Sequence, residues 1–234
     1  MNDSSILPEW ARDLYVFDTE TTGLAVETTR IVTTNISRID AEGNIVSSRD
    51  WLLDPAIEIP EQASNVHGIT TAHAREHGMD AATGIAEIVE ALRAAFASGI
   101  PVVAYNASYD FSIIDREAKR YSLEPVAVPR PVIDPLVIDR EVDRYRKGKR
   151  TLEAAAANYG VSLSDAHTAA ADAQAAGRVA QAIARKFSDQ LRMSAAELHD
   201  AQIDWAASQA ARFADYLRSV GKQPYSDDGA WPVR

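Results

Sequence analysis

Asp18 and Glu20 stand two residues apart in Phe17-Asp18-Thr19-Glu20-Thr21-Thr22-Gly23-Leu24, directly after the β-prone run Leu14 to Phe17. Residues i and i+2 of a strand point to one face, so both carboxylates project together from a strand end. Held that close, they repel unless a cation lies between them. An isolated pair of this kind is more often a solvated strand end than a site, and its weight depends on the other acids. Asp110 follows the apolar stretch Pro101 to Tyr105, at what reads as a strand-to-helix junction. Alone, an acid there simply favours the positive end of a helix dipole. Asp172 lies among alanines in His167-Thr168-Ala169-Ala170-Ala171-Asp172-Ala173, where an acid that becomes buried needs a partner. His167 is about 140° out of helical phase with Asp172. Thr168 fits an N-cap, however, which places His167 on the loop leading in, free to swing toward an acidic cluster.

Four carboxylates meeting on one sheet edge suit hard divalent cations, Mg²⁺ or Mn²⁺, four negative charges matching two ions. Two such ions about 3.5–4 Å apart stabilise the attacking and leaving oxygens of an in-line phosphoryl displacement. A histidine, with an ordinary pKa of about 6.5, can take a proton from the attacking water at neutral pH.

The elements that must position these residues are legible as patterns. Arg30 to Ile39 and Asn44 to Leu53 read as strands joined by the turn Ala41-Glu42-Gly43-Asn44, which with the first strand makes an antiparallel meander. Asp54 to Pro60 is an extended loop, and a helical stretch begins near Thr70. Ile85, Ile88, Val89, Leu92 and Phe96 recur at helical spacing and end at Gly99 and Pro101. Pro101 to Tyr105 and Val132-Ile133 are the fourth and fifth strands. Helices are expected over 109–121, 134–145, 151–159 and 168–187. Ser194 and Glu197 form a capping box that opens a last helix carrying Trp205, Phe213 and Tyr216 and closing at Gly221. Strands alternating with helices after an antiparallel start predict an α/β fold with a mixed sheet and helices on both faces.

Composition narrows the function. The 234 residues include no cysteine, which excludes disulfides, thiolate metal sites and cysteine nucleophiles. No apolar run is long enough for a membrane helix and the N-terminus shows no secretory signal, so a soluble cytoplasmic protein is expected. With 24 basic and 34 acidic residues the net charge is −10. Nucleic acid would then have to be held locally, by metal ions or a small basic patch. Arg140 to Arg150, with six basic and two acidic residues, is the candidate patch; it reads equally well as a solvated loop. His73, His77 and His199 read as surface residues.

The order FDTETTGL, YNASYDF, HTAAADA resembles the DEDDh family of 3′–5′ exonucleases, in particular the proofreading branch similar to the DNA polymerase III epsilon subunit. The resemblance runs from about Leu14 to Lys186. It implies a ribonuclease H-like fold, a mixed five-stranded sheet flanked by helices, with an exonuclease domain over 10–187 and a C-terminal helix and tail over 188–234. It implies Asp18, Glu20, Asp110 and Asp172 as ligands of two Mg²⁺ or Mn²⁺ ions and His167 as general base. Val66-His67-Gly68-Ile69-Thr70 looks like the family's V-H-G-I loop, placing His67 beside the substrate. Thr21, Gly23 and Leu24 match positions that hold the 3′-terminal nucleotide through backbone amides and an apolar wedge, and Asn106 matches a substrate-side position. Tyr105 stands where the family often has His, and Tyr109 where Phe is common; neither departure removes a metal ligand. Leu152 resembles the leucine that opens a family helix, but a core role is the preferred reading.

The activity so implied is release of nucleoside 5′-monophosphates from the 3′ end of single-stranded nucleic acid, DNA favoured, in a DNA-repair or proofreading setting. The alternatives are an RNA or short-oligonucleotide trimmer and a non-catalytic end-binding module associated with a polymerase. The last helix is expected to pack back on the catalytic domain in preference to meeting a polymerase or a second copy, and no membrane contact is expected.

Overall fold

The computed structural model describes residues 7–163, 167–224 and 229–234. After a 3₁₀ turn at Glu9–Ala11 come β1 (Leu14–Thr21), β2 (Ile31–Ile39), β3 (Ile45–Asp54), α1 (Glu61–His67), α2 (Thr71–His77), β4 (Met79–Asp80) and α3 (Ala81–Ala97). They are followed by β5 (Val102–Val103), α4 (Ala107–Arg120), β6 (Val132–Ile133), α5 (Pro135–Val142), α6 (Leu152–Tyr159), α7 (Ala169–Lys186) and α8 (Ala195–Ser219). No helix among the described residues is long and apolar enough to cross a membrane.

The sheet order is β4-β3-β2-β1-β5-β6. β1, β2 and β3 form the expected antiparallel meander. The turn between β2 and β3 is built by Asp40, whose carboxylate accepts from the Glu42 and Asn44 amides at 3.0 and 2.8 Å, while Gly43 takes a left-handed φ of 79°. β5 runs parallel to β1, and β6 parallel to β5. The carboxyl ends of β1, β5 and β6 therefore share one edge of the sheet, the edge where α/β sheets bind ligands.

Alternation along β1 divides the core. Phe17 packs with α3 and α4 on one face, its ring 5.4 Å from that of Phe111. Leu14 and Val16 pack on the other, against the alanines of α7. Small residues let α7 lie close to the sheet. At Gly177 a Cβ would sit 2.5 Å from Val16 Cγ1 and 2.6 Å from Ile39 Cδ1. Gly177→Ala gains about 1 kcal/mol of helix propensity but overpacks the interface, which costs typically about 1–3 kcal/mol. A net loss of about 1 kcal/mol or more is expected in urea unfolding; a variant more stable than the parent would show that the helix can back away from β1.

The sheet has six strands where five were expected. The sixth, β4, is a two-residue parallel pairing of Met79–Asp80 with Leu53–Asp54, too short to leave an alternating pattern. It also breaks the helical stretch expected from Thr70. Gly78 stands extended at the break, where a Cβ would lie 2.3 Å from the Ala74 carbonyl and 2.5 Å from the Asp54 amide nitrogen. α1, which no sequence pattern announced, is seven residues long with only His67 buried.

His199 corrects another expectation: it is buried, not on the surface. Its Nδ1 accepts from the Val132 amide at 3.1 Å. Gln202, also on α8, accepts from the Asp134 amide at 2.6 Å and donates to the Val132 carbonyl at 3.1 Å. Two side chains of α8 thus satisfy backbone groups on the free edge of β6. Gln209 adds a donor bond to the Val137 carbonyl on α5. As expected, α8 packs back on the body of the protein.

Candidate active site

Asp18 and Glu20 leave β1 on its α7 side, and Asp172 stands in the first turn of α7. Thr168 starts that helix, accepting from the Ala171 amide at 3.2 Å. Carboxylate oxygens from Asp18, Glu20 and Asp172 all lie within 4.8 Å of one another, each residue half-buried. The pairing of β1 with β2 shifts register between Glu20 and Thr21, an irregularity of the kind that re-aims side chains beside active sites.

Asp110 enters from the other side of β1. It is buried in the first turn of α4, and one of its oxygens accepts from the Thr19 amide at 3.1 Å and the Thr19 hydroxyl at 2.8 Å. Thr19 points opposite to Asp18 and Glu20, so Asp110 meets the cluster of three from the opposite side of β1, one of its oxygens held by Thr19. Its charge still reaches Asp18 and Glu20.

This crowding has an electrostatic consequence. Asp18 is held protonated well above the usual carboxylate range, first by burial and then by Asp110, Glu20 and Asp172. Glu20 is raised to about 8, by burial and then by Asp172 and Asp110. Burial raises Asp110 to about 7 against the opposing Thr19 hydrogen bonds. Burial also raises Asp172, opposed by the His167 amide and ring and assisted by Glu153. An all-oxygen donor set whose members resist ionising together is what a divalent cation would relieve, so the residues fit a hard metal ion.

His167 stands beside Asp172 as expected, exposed, with its amide directed at the Asp172 carboxylate. Its φ of 73° is left-handed, an uncommon conformation for a residue with a side chain and one that recurs at functional sites. Ala166, just before it, lies outside the described residues.

The other site candidates divide. The Thr21 hydroxyl donates to the Gly23 carbonyl at 2.9 Å and meets the Tyr109 hydroxyl at 2.7 Å, and Tyr109 also donates to Gly23. The turn after β1 is thereby tied to α4, and Leu24 stands out from it 88% exposed. His67 is buried, its Nδ1 accepting from the Ile69 amide at 3.1 Å and its ring facing the Thr21 carbonyl. Its Nε2 is a buried atom with no hydrogen-bond partner of good geometry. Asn106 takes a left-handed φ of 64° at the start of α4 and its side chain makes no capping bond. It lines a groove between α5 and α8.

Two supporting acids escaped sequence reading. Buried Asp134 accepts from the amides of Asn106 (3.0 Å), Ala107 (2.9 Å) and Leu136 (2.9 Å), capping α4 and α5 together. Its position before Pro135 was the only available cue. Asp139, fully buried, accepts from Arg146 and Arg150 at 2.6 Å each and from the Tyr159 hydroxyl at 2.5 Å. Two members of the candidate basic patch are therefore internal ties, and the patch over 140–150 is neither a solvated loop nor a phosphate clamp as a whole.

The exonuclease family model of RNase T type matches residues 15–180. The chain is 31% identical over 167 residues to the PolC-type DNA polymerase III of Streptococcus thermophilus, and 28% identical over 171 residues to that of Lacticaseibacillus paracasei. These matches cover 70% and 73% of this chain but only 10% and 11% of those polymerases. Among solved structures, an exonuclease I superposes with a TM-score of 0.64 at 21% identity, covering 81% of this chain and 42% of the other. Exonuclease I of Methylocaldum szegediense gives 0.61 at 23% identity, covering 77% and 42%. The ribonuclease H-like α/β fold is common to these neighbours. The matched span contains Asp18, Glu20, Asp110, His167 and Asp172, and the chain belongs to the DEDD-type 3′–5′ exonuclease family.

Proposed function

We propose that this chain hydrolyses the 3′-terminal phosphodiester of single-stranded nucleic acid, DNA in preference to RNA, and releases nucleoside 5′-monophosphates. The observation that carries the reading is the convergence of Asp18, Glu20 and Asp172 within 4.8 Å, with Asp110 alongside. The four carboxylates would hold Mg²⁺ or Mn²⁺, two ions in all, supplying Lewis-acid stabilisation of phosphate charge and an activated water. The chain's own residues orient the strand and exclude solvent. The turn Thr21–Leu24, braced by Tyr109, would seat the terminal nucleotide, with Leu24 against its base and buried His67 closing the turn from beneath. His167 would take the proton of the attacking water. Residues 10–187 would form the catalytic unit and 188–234 its helical addition.

Preference for DNA draws support from relatives that are DNA polymerases and from E. coli exonuclease I, a neighbour with a TM-score of 0.62 solved in complex with a dT13 oligonucleotide. The test is digestion of matched single-stranded DNA and RNA with Mg²⁺ or Mn²⁺, resolving the products. Mononucleotide release from the 3′ end, faster on DNA, is expected, and His167→Ala should lower kcat by about 10²–10⁴ while KM changes little. No release under either metal would favour a non-catalytic end-binding module, faster release from RNA would favour an RNA trimmer, and an unchanged rate in His167→Ala would remove that residue as base.

A further inference from the structure

The first turn of α4 separates two places. Tyr109 and Asp110 face the acidic cluster and the Thr21–Leu24 turn. Asn106 and Ser108 line a groove of about 990 Å³ between α5, α8 and the segment Gly229–Trp231. Asn106 follows β5 and Asp134 follows β6, so this part of the lining lies on the same sheet edge as Asp18 and Glu20 at the end of β1. The acidic cluster and the groove thus stand on one edge of the sheet, on either side of the first turn of α4.

The lining has two components. Arg140 on α5, Arg144 just beyond its end and Arg212 on α8 line the groove together. Glu141 pairs with Arg144 at 2.6 Å and with Arg212 at 3.4 Å, so one carboxylate is shared by two guanidinium groups. Arg140 is exposed and has no ion pair among the described residues. The acid in the groove lining, Asp134, is buried and engaged by backbone amides. The groove is thus locally cationic in a chain of net charge −10. Beside the arginines, Phe213 and Tyr216 stack on one another at 6.4 Å and remain 50% and 59% exposed. A cationic track with aromatic faces is the arrangement that binds single strands independently of sequence, phosphates along the cations and bases on the rings.

We propose that the groove between α5 and α8 holds the nucleotides upstream of the 3′ end: Arg140, Arg144 and Arg212 meet their phosphates, and Phe213 and Tyr216 stack their bases. The occupant is the single strand itself, which gives α8 a role in substrate length preference. This rests on the exonuclease reading but is separable from it.

Two experiments on the full chain test the proposal. In the first, oligothymidylates of about three and about twenty nucleotides are compared. The long substrate should show a KM about ten-fold below the short one, and Arg140→Glu combined with Phe213→Ala should erase that preference. The salt dependence of long-strand affinity should flatten by about 0.7 in log–log slope for each phosphate contact removed. In the second, 5-bromodeoxyuridine placed about five nucleotides from the 3′ end is photocrosslinked to the protein without metal, so that no turnover is needed. The adduct should map to 205–217. Digestion by the parent chain with equal KM for both lengths, or a preference that survives the double variant, overturns the groove while leaving the exonuclease intact. Crosslinks confined to residues outside α5 and α8 overturn it too, as does a variant whose only change is loss of a dimer in sedimentation. A parent chain that crosslinks at α8 yet releases no mononucleotide sinks the exonuclease reading and leaves the groove standing.

Discussion

Asp18→Asn and Asp172→Asn should each fold and each lose nearly all exonuclease activity. Both side chains offer an oxygen to the same point in space, within 4.8 Å of Glu20. Changing carboxylate to amide keeps the shape and removes one of the charges that would hold the metal. Lewis-acid stabilisation of phosphoryl transfer is worth several kcal/mol, and about 1.4 kcal/mol is a factor of ten in rate. A fall in kcat of about 10³-fold or more is expected with either variant, measured as mononucleotide release from labelled single-stranded DNA. Stability should move the other way. In the parent, Asp18 resists ionisation because of burial and three neighbouring acids, so the amide removes a repulsion. At pH 8 without metal, Asp18→Asn should melt at or above the parent temperature, whereas a residue needed for folding would melt lower. Digestion at the parent rate by either variant would end the assignment of these acids.

The acidic site was legible because its parts sit in short-range patterns. Asp18 and Glu20 share a strand face by the period of two, and Asp110 and Asp172 mark the first turns of α4 and α7. What stayed hidden were relations across the fold. Thr19, between the two strand acids, gave no reason to expect that it reaches round to Asp110 from the opposite face. Asp139 lies in a helix of mixed composition, and only the return of the chain through Arg146, Arg150 and Tyr159 shows what a buried acid there holds. The same return explains why the basic run misled: a count of charges cannot tell a cation turned inward from one turned to a phosphate. β4 and α1 were missed for another reason. Two residues cannot display an alternation, and a seven-residue helix burying one side chain cannot display a face.

Metal removal should make the stability of this protein fall as pH rises from about 5 to about 8. Glu20 is raised from 4.5 to about 8 and Asp110 from 3.8 to about 7. A carboxyl whose folded pKa lies above its unfolded value binds its proton more tightly in the folded state. Its contribution to stability is complete below the unfolded pKa and is lost as pH climbs to the folded one. A tenfold gain in proton affinity on folding corresponds to about 1.4 kcal/mol, reduced for Glu20 by its remaining contact with solvent. A loss of about 2–3 kcal/mol is expected, about 5–10 °C in Tm for a chain of this size. Because Mn²⁺ favours the ionised carboxylates, it should restore about 2.7 kcal/mol at a hundred-fold excess over Kd at pH 8 and far less at pH 5. The acids elsewhere that are held low, Asp40, Asp80, Glu153, Glu197 and Asp200, push stability in the opposite sense as pH rises through their own range. The comparison that isolates the cluster is therefore Glu20→Gln against the parent, both treated with chelator. The difference in Tm between them should widen in favour of the variant from pH 5 to pH 8 and close again when Mn²⁺ is added to the parent. A difference that stays constant across that range would mean that Glu20 ionises freely, with no need of a cation beside it.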